Sequence, residues 1–199
     1  MNPTTAAATA STIDAFSYLS VLLSIILGLA ITQILKGVRG WALSRARVVV
    51  YWPTLVLAGL LLLVSVQSWW AMFGMRGIPV WTFGMFAVVL LQITILYMLA
   101  ALVLPDFFGE QTIDLRQHYF AQRKLFFGLF VLVLLVSIAK DLVLGGTWPE
   151  PMNLAFHIVF IVLMLVAVLS SREWYHKLLA ALGPLVFIAY VALLFERLR

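Results

Sequence analysis

The chain has 199 residues, of which 64% are hydrophobic and 11% charged, with a net charge of +5 and no cysteine. Soluble domains run at roughly 45–50% apolar and 25% charged, so with a mean hydropathy of +1.10 this composition excludes a water-facing globule and makes lipid the solvent. The missing thiols exclude disulfides, thiolate metal sites and thiol catalysis.

Backbone groups in lipid must be satisfied inside helices or a closed barrel. Barrel strands alternate apolar and polar residues over about ten positions, and neither Ser20 to Leu35 nor Leu154 to Leu169 alternates. The expected fold is therefore an all-α, polytopic bundle of six transmembrane helices in one domain, with the bilayer as its first partner. Crossing a hydrocarbon layer of about 30 Å takes about twenty residues. Six stretches suffice: Phe16–Leu35, Tyr51–Phe73, Val80–Leu104, Leu125–Leu144, Met152–Ser170 and Leu178–Phe195. The first is preceded by Met1 to Ser11, which lacks Lys and Arg; this bareness and the length of the stretch argue for a retained helix rather than a signal peptide.

In the first stretch, Ser17, Ser20, Ser24, Gly28 and Thr32 form a ridge of small residues. Such ridges let a second helix approach closely, so this one is expected to pack against another helix of the chain or of a second subunit, making a homo-oligomer a candidate assembly. Nearby, Ala15-Phe16-Ser17 is similar to the Phe-Ser-Asp opening of the small six-helix potassium channels of bacteria and lysosomes. Tyr18 stands where that family has Asp and no basic residue precedes it, so no site carries over.

Proline punctuates the later stretches. Pro53 falls in an opening turn, Pro79 and Pro105 flank the third stretch, and Pro149 and Pro151 precede the fifth, all places where a missing N–H costs little. Pro184 lies within the sixth and predicts a kink. The connection from Asp106 to Lys124 is the longest between stretches. Thr112 is expected to cap a helix running through Arg116 and Tyr119, with Phe107, Phe108, Ile113 and Phe120 available to touch lipid.

Lys and Arg accumulate in cytoplasmic loops. Nine of them (Lys36, Arg39, Arg45, Arg47, Arg116, Arg123, Lys124, Arg172 and Lys177) fall on one side and three (Arg76, Arg197 and Arg199) on the other, which places both termini outside. The positive charge thus orients helices and meets anionic lipid, not nucleic acid. Tryptophan prefers the headgroup level; Trp41, Trp52 and Trp174 fall at the expected inner boundary and Trp69, Trp70, Trp81 and Trp148 at the outer one.

Chemistry-bearing residues are sparse. Counted inward at about 1.5 Å per residue, Gln67, Lys140, Asp141 and His157 lie within about 10 Å of the outer surface, and Asp14 stands at the mouth of the first helix. Ionisable groups within spans are costly and often functional, so these five define a candidate polar pocket open to the outside. Deeper polar groups are Gln33, Gln92, Thr94 and Ser137. His118, His157 and His176 differ too much in depth to share a metal or a haem. The zinc signature H-E-x-x-H, the G-x-S-x-G elbow and the phosphate loop are all missing. The expectation is a non-enzymatic scaffold, sensor or accessory module of the cell membrane without cofactor or metal, working alone or with a membrane-protein partner; the alternative is a small homo-oligomeric channel or transporter.

Overall fold

Helix boundaries in this chain are marked by proline, by a capping side chain or by glycine. The computed structural model describes residues 3–106 and 112–194, with side chains over 16–106 and 112–193. Its helices are α1 (Pro3–Ser44), α2 (Trp52–Met72), α3 (Phe83–Leu102), α4 (Leu115–Gly145), α5 (Pro151–Leu169) and α6 (Glu173–Leu194). Each contains a stretch long and apolar enough to cross a membrane. The chain is an all-α, multi-pass membrane protein.

Proline opens α2 and α5, where Pro53 and Pro151 occupy first-turn positions that need no donor. Thr82 caps α3 by accepting from the Met85 N–H at 3.3 Å. The cap of α4 is Asp114, which accepts from the N–H groups of Arg116 at 2.7 Å and Gln117 at 3.2 Å, and not Thr112. The carboxylate wins because it reaches two orphan donors with a full negative charge at the positive end of the helix. At its other end α4 stops on Gly146, whose φ of 65° is the left-handed conformation that glycine alone adopts without strain. Pro184 lies inside α6, which continues on both sides of it.

Two elements exceed the hydropathy profile. Helix α1 runs past Leu35 to Ser44, and α4 starts at Leu115, well before Leu125, where Arg116, Gln117, Gln122, Arg123 and Lys124 supply polar helix formers ahead of the apolar stretch. Between them, β1 (Val48–Val49) and β2 (Ile113–Asp114) pair in parallel, Val48 with Ile113 and Val49 with Asp114, tying the α1–α2 and α3–α4 connections together. Phe107 and Phe108 lie outside the described residues. Phe120 is half-buried against Tyr51, Tyr119 and His176, so it belongs to an aromatic cluster and not to a lipid-facing surface.

Around the bundle the packing order is α1, α3, α4, α5, α6, α2 and back to α1. One end carries the α2–α3 and α4–α5 connections with Trp69, Trp70, Trp81 and Trp148, and is called the Trp148 end; the Trp174 end carries Trp41, Trp52 and Trp174 with the other three connections.

The inward face of α1 is Leu23, Leu27, Ala30 and Ile34, all at most 1% exposed. The small-residue ridge does not pack within the chain as the sequence allows: Gly28 and Thr32 are exposed, Ser20 and Ser24 half-buried, and nothing lies within 4 Å of where a Gly28 Cβ would stand. Thr32 instead returns its hydroxyl to the Gly28 carbonyl at 2.8 Å. Larger side chains fill the interior better, and the glycine that is needed lies outside the ridge. A Cβ on Gly37 would fall 2.8 Å from the Leu104 Cβ, so α1 and the end of α3 touch only because that side chain is missing.

Large apolar side chains cover the outside, including Val21, Ile25, Val162, Leu169 and Leu185. Leaving one such residue in water costs about 1.5–3 kcal/mol relative to burial. Dozens of them exceed the roughly 5–15 kcal/mol of net stability typical of a fold, so this surface requires lipid.

Candidate functional site

The polar residues near the Trp148 end come from five helices whose shallow turns coincide. Gln67 lies about 8 Å from the end of α2, Lys140 about 8 Å from the end of α4, and His157 about 9 Å from the start of α5, at 1.5 Å per residue. Gln67, Lys140, Asp141 and His157 all line one cavity of about 290 Å³. Ser68 (α2), Gln92 (α3), Ser137 (α4), Asn153 (α5) and Tyr190 (α6) complete its polar wall. Asp14 is on α1, which contributes no residue to this lining; its side chain lies outside the described residues.

Lys140 and Asp141 are neighbours in sequence, about 100° apart on the helix, yet both reach the cavity. The Lys140 ammonium stands 3.7 Å from the Asp141 carboxylate, and the two side chains are 16% and 29% exposed. That contact is an ion pair and too long for a hydrogen bond. The second carboxylate oxygen accepts from the Asn153 amide at 3.3 Å, and the Asn153 carbonyl oxygen accepts from the Tyr190 hydroxyl at 3.3 Å. Asp141, Asn153 and Tyr190 therefore form a chain linking α4, α5 and α6.

His157 is 5% exposed and both ring nitrogens are engaged. Nδ1 donates to the Asn153 backbone carbonyl at 2.9 Å, and Nε2 pairs with the Ser137 hydroxyl at 3.1 Å. A carbonyl can only accept, so Nδ1 carries a proton. His157 is consequently a fixed wall of the cavity, joining α5 to α4.

Other groups of the lining are uncommitted. Among the described residues the side chains of Gln67, Ser68 and Gln92 make no hydrogen bond to protein, and Lys140 has no contact beyond its ion pair. An ammonium carries three donors and each amide a donor and an acceptor group. All four side chains are half-buried, so their free donors and acceptors are open to whatever occupies the cavity.

Below this chamber lies an apolar one of about 90 Å³ that shares Gln67, Ser68, Gln92, Ser137, His157 and Tyr190 with it and is otherwise walled by residues such as Leu57, Leu96, Phe130 and Met164. Of the remaining intramembrane polar groups, Thr94 is exposed and bonds the Leu90 carbonyl at 2.7 Å, and the Gln33 amide donates to the Tyr97 hydroxyl at 3.3 Å, joining α1 to α3. Neither belongs to the cavity.

At the Trp174 end an aromatic cluster fills the space between the helices. Tyr119 packs edge-on against Tyr51, Phe127 and His176, and His176, fully buried, donates from Nε2 to the Ser170 carbonyl at 2.9 Å and accepts at Nδ1 from the Tyr119 hydroxyl at 3.0 Å. His118 donates to the Leu102 carbonyl at 3.0 Å. Among the described residues no three His, Asp or Glu side chains gather as a metal site would require.

Tyr190, Asn153 and Ser68 are the site residues that sequence reasoning missed. Depth counting on α6 would have found Tyr190, one turn from the helix end and level with Lys140; Asn153 and Ser68 carry no sequence signal apart from polarity. No protein-family model, curated protein or solved structure matches the chain.

Proposed function

We propose that this protein is a non-enzymatic, ligand-sensing module of the cell membrane, with the Trp148 end and both termini outside, and that its site is the chamber bounded by Gln67, Lys140, Asp141, His157 and Tyr190. The observation that carries the reading is the set of uncommitted donors and acceptors, Lys140, Gln67, Ser68 and Gln92, facing one void of about 290 Å³. That volume is at the lower end of the roughly 300–1,000 Å³ of small-molecule sites. The engaged His157, Asn153 and Tyr190 supply rigidity; the uncommitted groups supply recognition. A fixed network that joins α4, α5 and α6 also gives a bound ligand leverage on three helices, which a sensor needs.

A carrier is the second reading, favoured by the apolar chamber that continues inward from the same residues. An ion would lose its hydration there without replacement, whereas a weakly hydrated solute would not. The test is a pair of measurements on purified full-length protein: binding, read as ligand-induced stabilisation, and uptake into liposomes. Asp141→Asn and Gln67→Ala are expected to abolish stabilisation by a ligand while leaving the fold intact. Uptake that survives both substitutions, or stabilisation that is indifferent to them, rejects the site.

A further inference from the structure

We infer that the chamber receives a zwitterionic amphiphile, its anionic group on Lys140, its ammonium on Asp141 and its hydrocarbon chain entering sideways from the bilayer between α2 and α6. This deepens, and rests on, the reading of the chamber as a binding site.

Charge sets the headgroup. Lys140 and Asp141 together are neutral, and a purely anionic head drawn to the ammonium would meet the carboxylate 3.7 Å away. A head with both signs pairs with both: a phosphate takes the unused Lys140 donors, and a primary ammonium donates to the Asp141 oxygens. The amides of Gln67 and Gln92, uncommitted to protein, can hold the remaining phosphate oxygens.

Apolar space sets the rest of the ligand. The chamber that continues below is lined mainly by hydrocarbon and bounded by Phe187 and Gly183 on α6. On the outer face of the same two helices runs an open groove of about 450 Å³, lined by Leu63, Val66, Trp70, Ile188 and Val191 and facing lipid. Gln67 and Phe187 border both the inner chamber and this groove. They are the partition between the site and the bilayer. A polar head compartment, an apolar compartment beneath it and a two-residue wall toward lipid fit a molecule with a head and a chain, and the groove is the path by which its chain reaches the interior without crossing water.

The experiment measures thermal unfolding of the full chain in a neutral detergent against three titrated probes: lysophosphatidylethanolamine, lysophosphatidylglycerol and free phosphoethanolamine. The lysophosphatidylethanolamine is expected to stabilise saturably, at a concentration at least tenfold below either of the others. Asp141→Asn should remove its advantage over lysophosphatidylglycerol, and Lys140→Met should weaken the response to both lysolipids. Gly183→Leu, whose first carbon meets nothing within 4 Å, fills the apolar chamber and should remove the advantage over phosphoethanolamine while leaving the response to phosphoethanolamine itself; Val64→Phe fills the same space from α2 if that variant does not fold. A Lys140-dependent response to phosphoethanolamine with no gain from the chain overturns the amphiphile and leaves the site standing. Equal responses to the two lysolipids overturn the headgroup assignment. No Lys140-dependent response to any probe overturns the site and the inference together.

Discussion

The Lys140 ammonium and the Asp141 carboxylate, adjacent in sequence, face each other at 3.7 Å across the rim of one chamber, with the Asn153 amide on the far carboxylate oxygen. Removing one partner of a buried pair leaves an uncompensated charge and costs about 3–5 kcal/mol, whereas removing both can be neutral. The chamber gives partial hydration here, so the single variants Lys140→Met and Asp141→Asn are expected to lose about 1–2 kcal/mol each. The double variant should lose less than their sum. A double-mutant cycle read by unfolding in detergent checks this, and strict additivity would show that the two groups do not interact.

Glycine discriminates the two faces of α1. Gly37→Ala places a carbon 2.8 Å from the Leu104 Cβ, an atom fixed to its backbone, and is expected to cost about 1–3 kcal/mol. Gly28→Leu points into open space and should leave the stability of a single chain unchanged. If the ridge of Ser20, Ser24, Gly28 and Thr32 is a contact between subunits, as its exposure permits, Gly28→Leu will lower the oligomer mass measured by light scattering, and an unchanged mass assigns that face to lipid.

The α4 cap separates two neighbouring residues. Asp114→Ala removes the acceptor of two N–H groups and is expected to cost about 1 kcal/mol. Thr112→Ala, exposed, should be silent. The reverse order in thermal unfolding would reassign the cap.

His176 joins the Tyr119 hydroxyl to the Ser170 carbonyl and sits among four aromatic rings. His176→Ala opens that cluster and strands the Tyr119 hydroxyl, for an expected loss of about 2–4 kcal/mol. Proteolysis in detergent should then cut first in the connections of the Trp174 end. Early cleavage confined to the α4–α5 connection would contradict the role of the cluster in packing that end.

The proposed orientation is open to a direct check because the chain has no cysteine. A single Thr147→Cys, at the Trp148 end, should react in intact cells with a membrane-impermeant maleimide, and Ser171→Cys only after permeabilisation. Reversed labelling would invert the topology.

Six helices were legible in the sequence because burial in lipid is decided locally: twenty apolar residues span a bilayer whatever they pack against. Depth was legible for the same reason, and counting along helices placed Gln67, Lys140, Asp141 and His157 at one level before any contact was known. Rotation was not. Whether a residue faces lipid or a neighbour depends on which helices adjoin it, and lipid tails resemble Leu too closely for hydrophobicity to distinguish the two faces. For that reason the sequence did not show that α1 packs within the chain through Leu23, Leu27, Ala30 and Ile34 and not through its small-residue ridge, and Gly37 gave no signal at all. Tyr190 likewise became part of the site only when α6 came to lie beside α2 and α5. The sequence by itself determined the solvent, the number of spans and the level of the polar groups; the tertiary structure decided that five helices turn those groups toward one chamber, because convergence is a property of packing between elements and not of any one of them.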